Sequence, residues 1–412
     1  MSIANLQADR VITIGGIPFE TKVATFNYYE SVLSPFVTAN LTYADTGNSA
    51  INPFDIQERT GTLRDSIIPG PNKSVQFKFE NIMGSIDFQN QKFLEIDDSV
   101  ILSSDSTTEY GALKLVSRTY KLNKENRVQE KFYGPVSNSV KKIATDKLKI
   151  PGEELDIENS SNPIDFPGGS RFPYDVITHL ASQSTRVGGL PGFFAYETKS
   201  GFHFRSIDSL MDQTPVNQNN PYFHTDVFES DLSSNKNAYK IIGTPTKKDP
   251  SVSKLIESGA YFAEFRFMYE DEQVVRTKRY RIENNGRFEE IQNPTNNTTR
   301  LYTMSIPRGM NDPKVSKKLS SDPSDILAKS VMRYNILMSQ AINILIPCNP
   351  SLEAGNLIKC QFEKVTSSSK VPGPSNIGNY LILNLCHQFN GTDSYTSLTI
   401  VRDTYGNQKG VG

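Results

Sequence analysis

The chain has 412 residues, with 44 Lys and Arg against 45 Asp and Glu and a net charge of −1. That balance gives no bulk electrostatic case for binding nucleic acid or an anionic membrane, and the length calls for roughly two to four domains rather than one core. Eighteen Tyr, 23 Phe and no Trp, with 37% hydrophobic and 22% charged residues, suit a soluble protein rich in β structure and polar loops.

The first ten residues, Met1 to Arg10, have neither a basic start nor an apolar core, so no signal peptide is expected. The apolar runs fall far short of a membrane span, and the chain is expected to be made in a cytoplasm and left unanchored. Arg10–Ile14 reads as a strand ending in a Gly15-Gly16 turn, and Lys22–Glu30 as its return. Phe36–Ala44 places Val37, Ala39, Leu41 and Tyr43 on one face, the period-two signature of a half-buried strand. Asp45–Gly70 reads mostly as loop, followed by a turn at Pro69-Gly70-Pro71-Asn72. Ser74–Glu80 then groups Val75, Phe77 and Phe79, and Ala112–Tyr120 closes the region with Leu113, Leu115 and Ser117 together. Strands at this spacing predict a sandwich or barrel.

After Lys121 the pattern changes. Val140 and Ile143 follow Val136 at helical spacing over Val136–Leu148, and Pro173 opens a second helix carrying Tyr174, Ile177, Leu180 and Ala181. Gly192–Tyr196 and Gly201–Ile207 flank Glu197-Thr198-Lys199-Ser200 as a hairpin, and Met211–Asn220 reads as a linker. Charged, weakly alternating strands at Tyr239–Ile242, Tyr261–Tyr269 and Arg276–Ile282 suggest a less regular third module. Asp322 then caps a helix with Pro323 in its first turn and Leu327, Val331, Tyr334, Met338 and Ala341 on one stripe, expected to pack on the strands that follow.

Those strands are Asn343–Ile346, Gly355–Val365 and a hairpin turning at Asn390-Gly391, read together as a four-strand antiparallel meander. Alternation puts Leu381, Leu383, Leu385, His387 and Phe389 on one face, with Thr396, Leu398, Ile400 and Arg402 sharing a face on the return. Leu383, Leu398 and Ile400 are expected to fill this second β domain. The polar insert Thr366–Asn376 between two of its strands reads equally as a contact loop and as a plain surface loop.

Chemistry is scarce. The sequence has no Gly-rich phosphate loop, no HExxH and no GxSxG pattern. The histidines at 179, 203, 224 and 387 stand apart; His387 reads as a core or interface residue and His203 as a strand residue on the face opposite Phe202 and Phe204. Cys348, Cys360 and Cys386 lack the spacing of a disulfide framework or zinc site, and Cys360 and Cys386 read as buried thiols within strands. Glu153, Glu154, Asp156 and Glu158 form an acidic cluster that reads as solvated and, alternatively, as a glycosidase pair or a cation site. Glu270-Asp271-Glu272 with Arg276, Lys278, Arg279 and Arg281 reads as salt-bridging surface. No catalytic, cofactor-binding or metal residue is expected, nor any cofactor.

Two stretches together carry a family resemblance: Leu113-Lys114-Leu115-Val116-Ser117-Arg118 with the following Phe132-Tyr133-Gly134 and helix, and Gly-Asn-Tyr-Leu-Ile from Gly378 through His387-Gln388-Phe389 to Tyr395–Asp403. The chain resembles the baseplate hub of contractile-tailed bacteriophages, late-control tail proteins and the hub part of type VI secretion spikes. The resemblance implies a mainly β (α+β) fold with two tail-tube-like antiparallel β-barrels separated by smaller α+β modules. It divides the chain at 1–122 (first barrel), 123–220 (α+β intermediate domain), 221–321 (irregular β-rich module) and 322–412 (helix and second barrel). It also implies a non-enzymatic virion protein of the tail baseplate, assembled in the host cytoplasm. As a homotrimer its pseudo-sixfold ring would join the hexameric tail tube protein to the trimeric central spike protein, meet other baseplate proteins, and leave a channel for DNA. The alternatives from the residues are a cell-wall or polysaccharide hydrolase using the 153–158 carboxylates and a glycan-binding tail-tip module.

Overall fold

The computed structural model describes residues 9–46, 50–51, 60–61, 74–89, 92–105, 107–224, 237–248, 257–270, 272–282, 288–292, 300–306, 322–337, 340–364, 371–391 and 393–402. The N-terminal region is built from β1 (Asp9–Ile14), β2 (Ile17–Pro18), β3 (Val23–Ser31), β4 (Thr38–Asp45), the short pair β5 (Ala50–Ile51) and β6 (Thr60–Gly61), β7 (Ser74–Asn81), β8 (Gly84–Phe88), β9 (Leu94–Ser104) and β10 (Glu109–Ser117). Val37, Ala39, Leu41, Tyr43, Val75, Phe77, Phe79, Leu113 and Leu115 all enter one core, as the alternation requires. The sequence signal missed β8 and β9, and it ran the last strand too far. Arg118–Glu125 is helix α1, because Ser117 leaves the strand in extended backbone and the next eight residues wind up. The Pro69–Asn72 turn lies outside the described residues.

The middle of the chain holds β11 (Lys131–Pro135), α2 (Val136–Asp146), β12 (Leu155–Ile157), β13 (Pro163–Pro167), α3 (Pro173–Ser182), β14 (Phe193–Glu197), β15 (Phe202–Ser206) and α4 (Ile207–Met211). Both expected helices and the hairpin are present, and α4 takes Ile207 from the end of the expected second hairpin strand and Met211 from the start of the expected linker. Next come β16 (Tyr222–Phe223), β17 (Ile242–Lys248), β18 (Phe262–Tyr269), β19 (Val274–Ile282), β20 (Phe288–Glu290) and β21 (Leu301–Ile306). β18 to β21 form their own four-stranded sheet, whose Phe265, Phe267 and Tyr280 share a core with α2, α3 and β15. β16 and β17 instead hydrogen-bond to C-terminal strands.

Helix α5 (Pro323–Leu337) begins as the cap residues dictate: the Asp322 carboxylate accepts the Ser324 N–H at 3.0 Å. It buries Ala328 and Met332 in the intermediate core, while Tyr334 and Leu337 reach the C-terminal sheet. The fully buried face thus differs from the expected stripe, of which Leu327 and Val331 are half-buried against the intermediate core and Tyr334 against the C-terminal cluster. The helix stops at Leu337; Met338 lies outside the described residues and Ala341 is already in a strand.

The C-terminal strands are β22 (Gln340–Pro347), β23 (Leu357–Lys364), β24 (Val371–Asn390) and β25 (Asp393–Arg402). They do not form a four-strand meander. β23, β24 and β25 follow one another, but β22 pairs with β25 at the far side, Ile344 opposite Leu398 and Ile342 opposite Ile400. Part of the supposed surface insert is strand, since Val371 and Pro372 pair with Lys364 and Glu363.

A bulge corrects the face assignment. In β24, Ile382 pairs with Ile400 and Asn384 with Thr399, so Leu383 is the extra residue and alternation restarts after it. Ile382 and Leu385 consequently fill the second barrel with Leu398 and Ile400, whereas Leu381 and Leu383 pack outward against Phe194, Ile207 and Leu337.

The two barrels are parts of one fourteen-stranded sheet. The first half of β24 pairs with β23, and its second half carries β25 on one edge and β3 on the other, from Asn384↔Ser31 to Asn390↔Thr25. Phe389 crosses this seam into the first core and stacks on Phe79 at 3.7 Å between ring centroids.

Candidate functional site

The seam between the barrels is also where charge is buried. Phe26, Tyr28 and Glu30 point to the interior side of β3, so strand geometry carries a carboxylate inward beside two aromatic rings. Glu30 accepts three hydrogen bonds: from the Tyr28 hydroxyl at 2.8 Å, the Lys199 N–H at 2.7 Å and the Ala354 N–H at 2.9 Å. These donors come from the first barrel, the turn between β14 and β15, and the loop before β23. Burial first, and the nearby Glu353 second, push the Glu30 carboxyl up to about 7 against the opposing pull of its donors.

The β14–β15 turn acts as a key in this junction. Lys199 is held by the Pro350 carbonyl and lies 3.9 Å from Glu353, and burial lowers its pKa. Thr198 and Ser200 donate to the same Glu353 oxygen at 2.9 and 2.6 Å. One residue earlier, Glu197 accepts from the Val37 N–H at 3.2 Å, the Ser117 hydroxyl at 2.6 Å and the Thr119 hydroxyl at 2.9 Å, and burial raises its pKa. Ser117 does not cap α1 with its own side chain; Glu197 stands at that helix start and supplies the negative charge. Gly201 closes the turn at φ 146°, where a Cβ would collide with the Glu154 carbonyl, so no other residue fits.

His387 lies on β24 in the seam, fully buried, with Nδ1 bonded to the Thr396 hydroxyl at 2.9 Å and its ring stacked on Tyr28. Burial, with Lys199 adding to it, lowers its pKa to about 3, so it stays neutral. His203 has the expected orientation, opposite Phe202 and Phe204, and bonds Asp156 at 2.9 Å and Thr198 at 2.9 Å. Cys348 and Cys360 are buried and Cys386 is half-buried.

The acidic cluster does not converge. Glu154 pairs with Lys92 at 3.3 Å, Asp156 with His203 and Arg205, and Glu158 with Arg186 and the Ser206 N–H, while Glu153 is exposed. A cleft of about 430 Å³ beside the junction is lined by Glu154, Glu197, Arg118, Lys149, Leu122 and Phe202 among others. Of its two carboxylates Glu197 is consumed by buried donors, which leaves no pair to share acid and base work across a glycosidic bond. Among the described residues no group of three or more His, Cys, Asp or Glu could hold a metal ion, and no helix is long and apolar enough to cross a membrane. Of the charged run near 270, Arg276 pairs with Glu272 on the surface, but Lys278 joins Asp322 and Asp325 at the start of α5, and Arg279 joins the buried Glu264 at 2.8 Å.

No protein-family model and no curated protein sequence matches the chain. Solved structures do. The tail protein from Neisseria meningitidis MC58 superposes with a TM-score of 0.54 at 11% identity, over 97% of this chain and 98% of that one. The 43 kDa tail protein of prophage MuSo2 from Shewanella oneidensis gives 0.55 at 10% identity, over 96% and 98%. The chain has the fold of a phage tail protein. The superpositions run through nearly the whole length of all three chains, so the shared fold is not confined to one end of this chain.

Sequence reasoning did not single out Glu30, Glu197, Lys199 or Glu353. One signal was available: Glu30 continues the buried face set by Phe26 and Tyr28, and an acid there demands partners.

Proposed function

We propose that the chain is a structural hub of a phage-type tail: three copies form a pseudo-sixfold ring at the baseplate, joining the hexameric tail tube to the trimeric central spike around a channel for DNA. One observation carries this reading. The strands β9-β10-β4-β3 of the first barrel and β24-β25-β22-β17 of the second form one continuous ribbon, two four-stranded halves side by side. Each chain thus presents two barrel edges in the same sheet, and three chains present six. The tail proteins that share the fold support the setting, in the virion tail. A net charge of −1 suits a lumen that lets DNA pass without holding it. The role is mechanical rather than enzymatic, in keeping with the separate commitments of the 153–158 carboxylates. Mixing the purified chain with the tube and spike proteins of its own tail and weighing the product by native mass spectrometry tests the adaptor role. One hub trimer bridging a tube hexamer and a spike trimer is expected; binding to neither rules it out.

A further inference from the structure

The 197–200 turn meets the loop before β23 through hydrogen bonds whose protons can be counted. Glu353 Oε2 accepts from the Thr198 hydroxyl at 2.9 Å and from the Ser200 hydroxyl at 2.6 Å. A hydroxyl has one proton to give, so both are spent on the carboxylate. His203 Nε2 nevertheless lies 2.9 Å from the Thr198 oxygen and 3.1 Å from the Ser200 oxygen. With no hydroxyl proton left, only an N–H on Nε2 can make that contact. On the other side of the ring, Nδ1 faces the Asp156 carboxylate at 2.9 Å. The His203 hydrogen bond first, with Arg205 adding to it, holds the Asp156 carboxyl below its ordinary range, so Asp156 also only accepts. Both ring nitrogens are therefore donors, and the ring that completes this network is an imidazolium.

A neutral ring has no arrangement as good. With its proton on Nδ1, one hydroxyl must turn from Glu353 to the bare Nε2, and its oxygen then faces the carboxylate with no hydrogen between them. With its proton on Nε2, the bare Nδ1 faces Asp156 instead. Either way one close contact becomes a repulsion of lone pairs, and the cost falls on the joint between modules. His203 and Asp156 belong to the three-stranded sheet of the intermediate domain, whereas Glu353 lies in the loop that leads into the second barrel. The two sides fit closely. The Tyr196 ring stacks on His203 at 5.0 Å between centroids, and a Cβ on Gly355 would collide with the Tyr196 hydroxyl. The charged and titratable groups around the ring are Asp156 from β12, Tyr196 from β14, Arg205 from β15, Lys199 from the turn and Glu353, with Glu30 of β3 behind it. Solvent reaches the site, since the His203 and Asp156 side chains are 15% and 48% exposed.

We propose that His203 is the pin of a pH-sensitive latch: as an imidazolium it fastens the β14–β15 turn to Glu353, and on losing a proton it loosens the intermediate domain from the second barrel. The latch is closed in acid and opens as pH rises, the same sense in which burial drives the Glu30 carboxyl. It goes beyond the adaptor role and operates within a single chain.

The test is ring-nitrogen NMR on the full chain labelled at histidine, at about pH 7, where an unrestrained imidazole is mostly neutral. His179 and His387, lowered to about 4 and about 3, supply neutral rings for reference. His203, assigned by its contact with Tyr196 and by its loss in His203→Gln, should show two protonated nitrogens. Glu353→Gln should leave Nε2 bare, because an amide donates to the hydroxyls and frees their protons for the ring. A bare Nε2 in the wild type overturns the proposal, as does a Glu353→Gln ring that keeps both protons. Opening is read by hydrogen exchange of the 197–201 peptide in a Glu30→Gln background, which removes the other titrating carboxyl of the seam. Between about pH 6 and about pH 9 its protection should fall roughly tenfold beyond the ordinary rise in exchange, the worth of one charge-assisted hydrogen bond. Adding Glu353→Gln should abolish that fall. Protection that is indifferent to pH in the Glu30→Gln background overturns the latch.

Discussion

Glu30 concentrates the cost of the seam in one side chain. Its folded-state pKa is raised from 4.5 to about 7, so the carboxyl is more easily protonated in the folded chain than in the unfolded one. That contribution is fully present below about pH 4.5 and is lost as pH rises through about 7. The melting temperature should therefore fall between pH 5 and pH 8, and Glu30→Gln should flatten this fall; a Glu30→Gln profile parallel to the wild type would contradict the assignment. Glu197 acts in a different way, since it gathers the Val37 N–H and the paired Ser117 and Thr119 hydroxyls on one carboxylate. Glu197→Ala should cost about 1–3 kcal/mol in urea denaturation, because it strands the Val37 N–H and leaves the Ser117 and Thr119 hydroxyls with only each other. A cost near zero would mean that water replaces the carboxylate. Neither role could be read from composition, although the inward position of Glu30 was visible in the alternation of β3.

At the level of elements, the sequence showed strands wherever period-two alternation was long and clean, as in β4, β7 and β10. It failed where a bulge inserted one residue. The alternation around Leu383 is locally unbroken in the sequence, and only pairing with β25 shows which residue is left over. The place of β22 was hidden for a related reason, since its partner is chosen by the fold and not by the next turn. The junction turn at 197–200 was legible as a hairpin turn, but not as a key, because its partners lie far along the chain. Phe389 gives the seam its main apolar anchor. Phe389→Ala should destabilise the protein by about 3–5 kcal/mol, as a large core ring is lost from between the barrels. Calorimetry should then show the barrels melting less cooperatively; one unchanged transition would argue that the seam contributes little. Asp322→Ala, which removes the α5 cap and one of the two carboxylate partners of Lys278, should cost about 1 kcal/mol.

On the scale of the whole molecule, the mainly β fold was legible because both ends of the chain carry alternating strands with turn punctuation. The joint between them was not, because Ser31 and Asn384 meet from 353 positions apart and no local signal spans that distance. The same physics explains why the ribbon should not end at its edges. Among the described strands, β17 and the later part of β9 have no partner on their outer edges, and closing those edges on other copies would pair their backbone groups. The most direct measurement is the mass of the purified chain in solution by light scattering, read with class averages of negatively stained particles. A trimer with a central hole and a sixfold outline at one end is the expected result. A monomer that persists when the spike and tube proteins are added would contradict the hub.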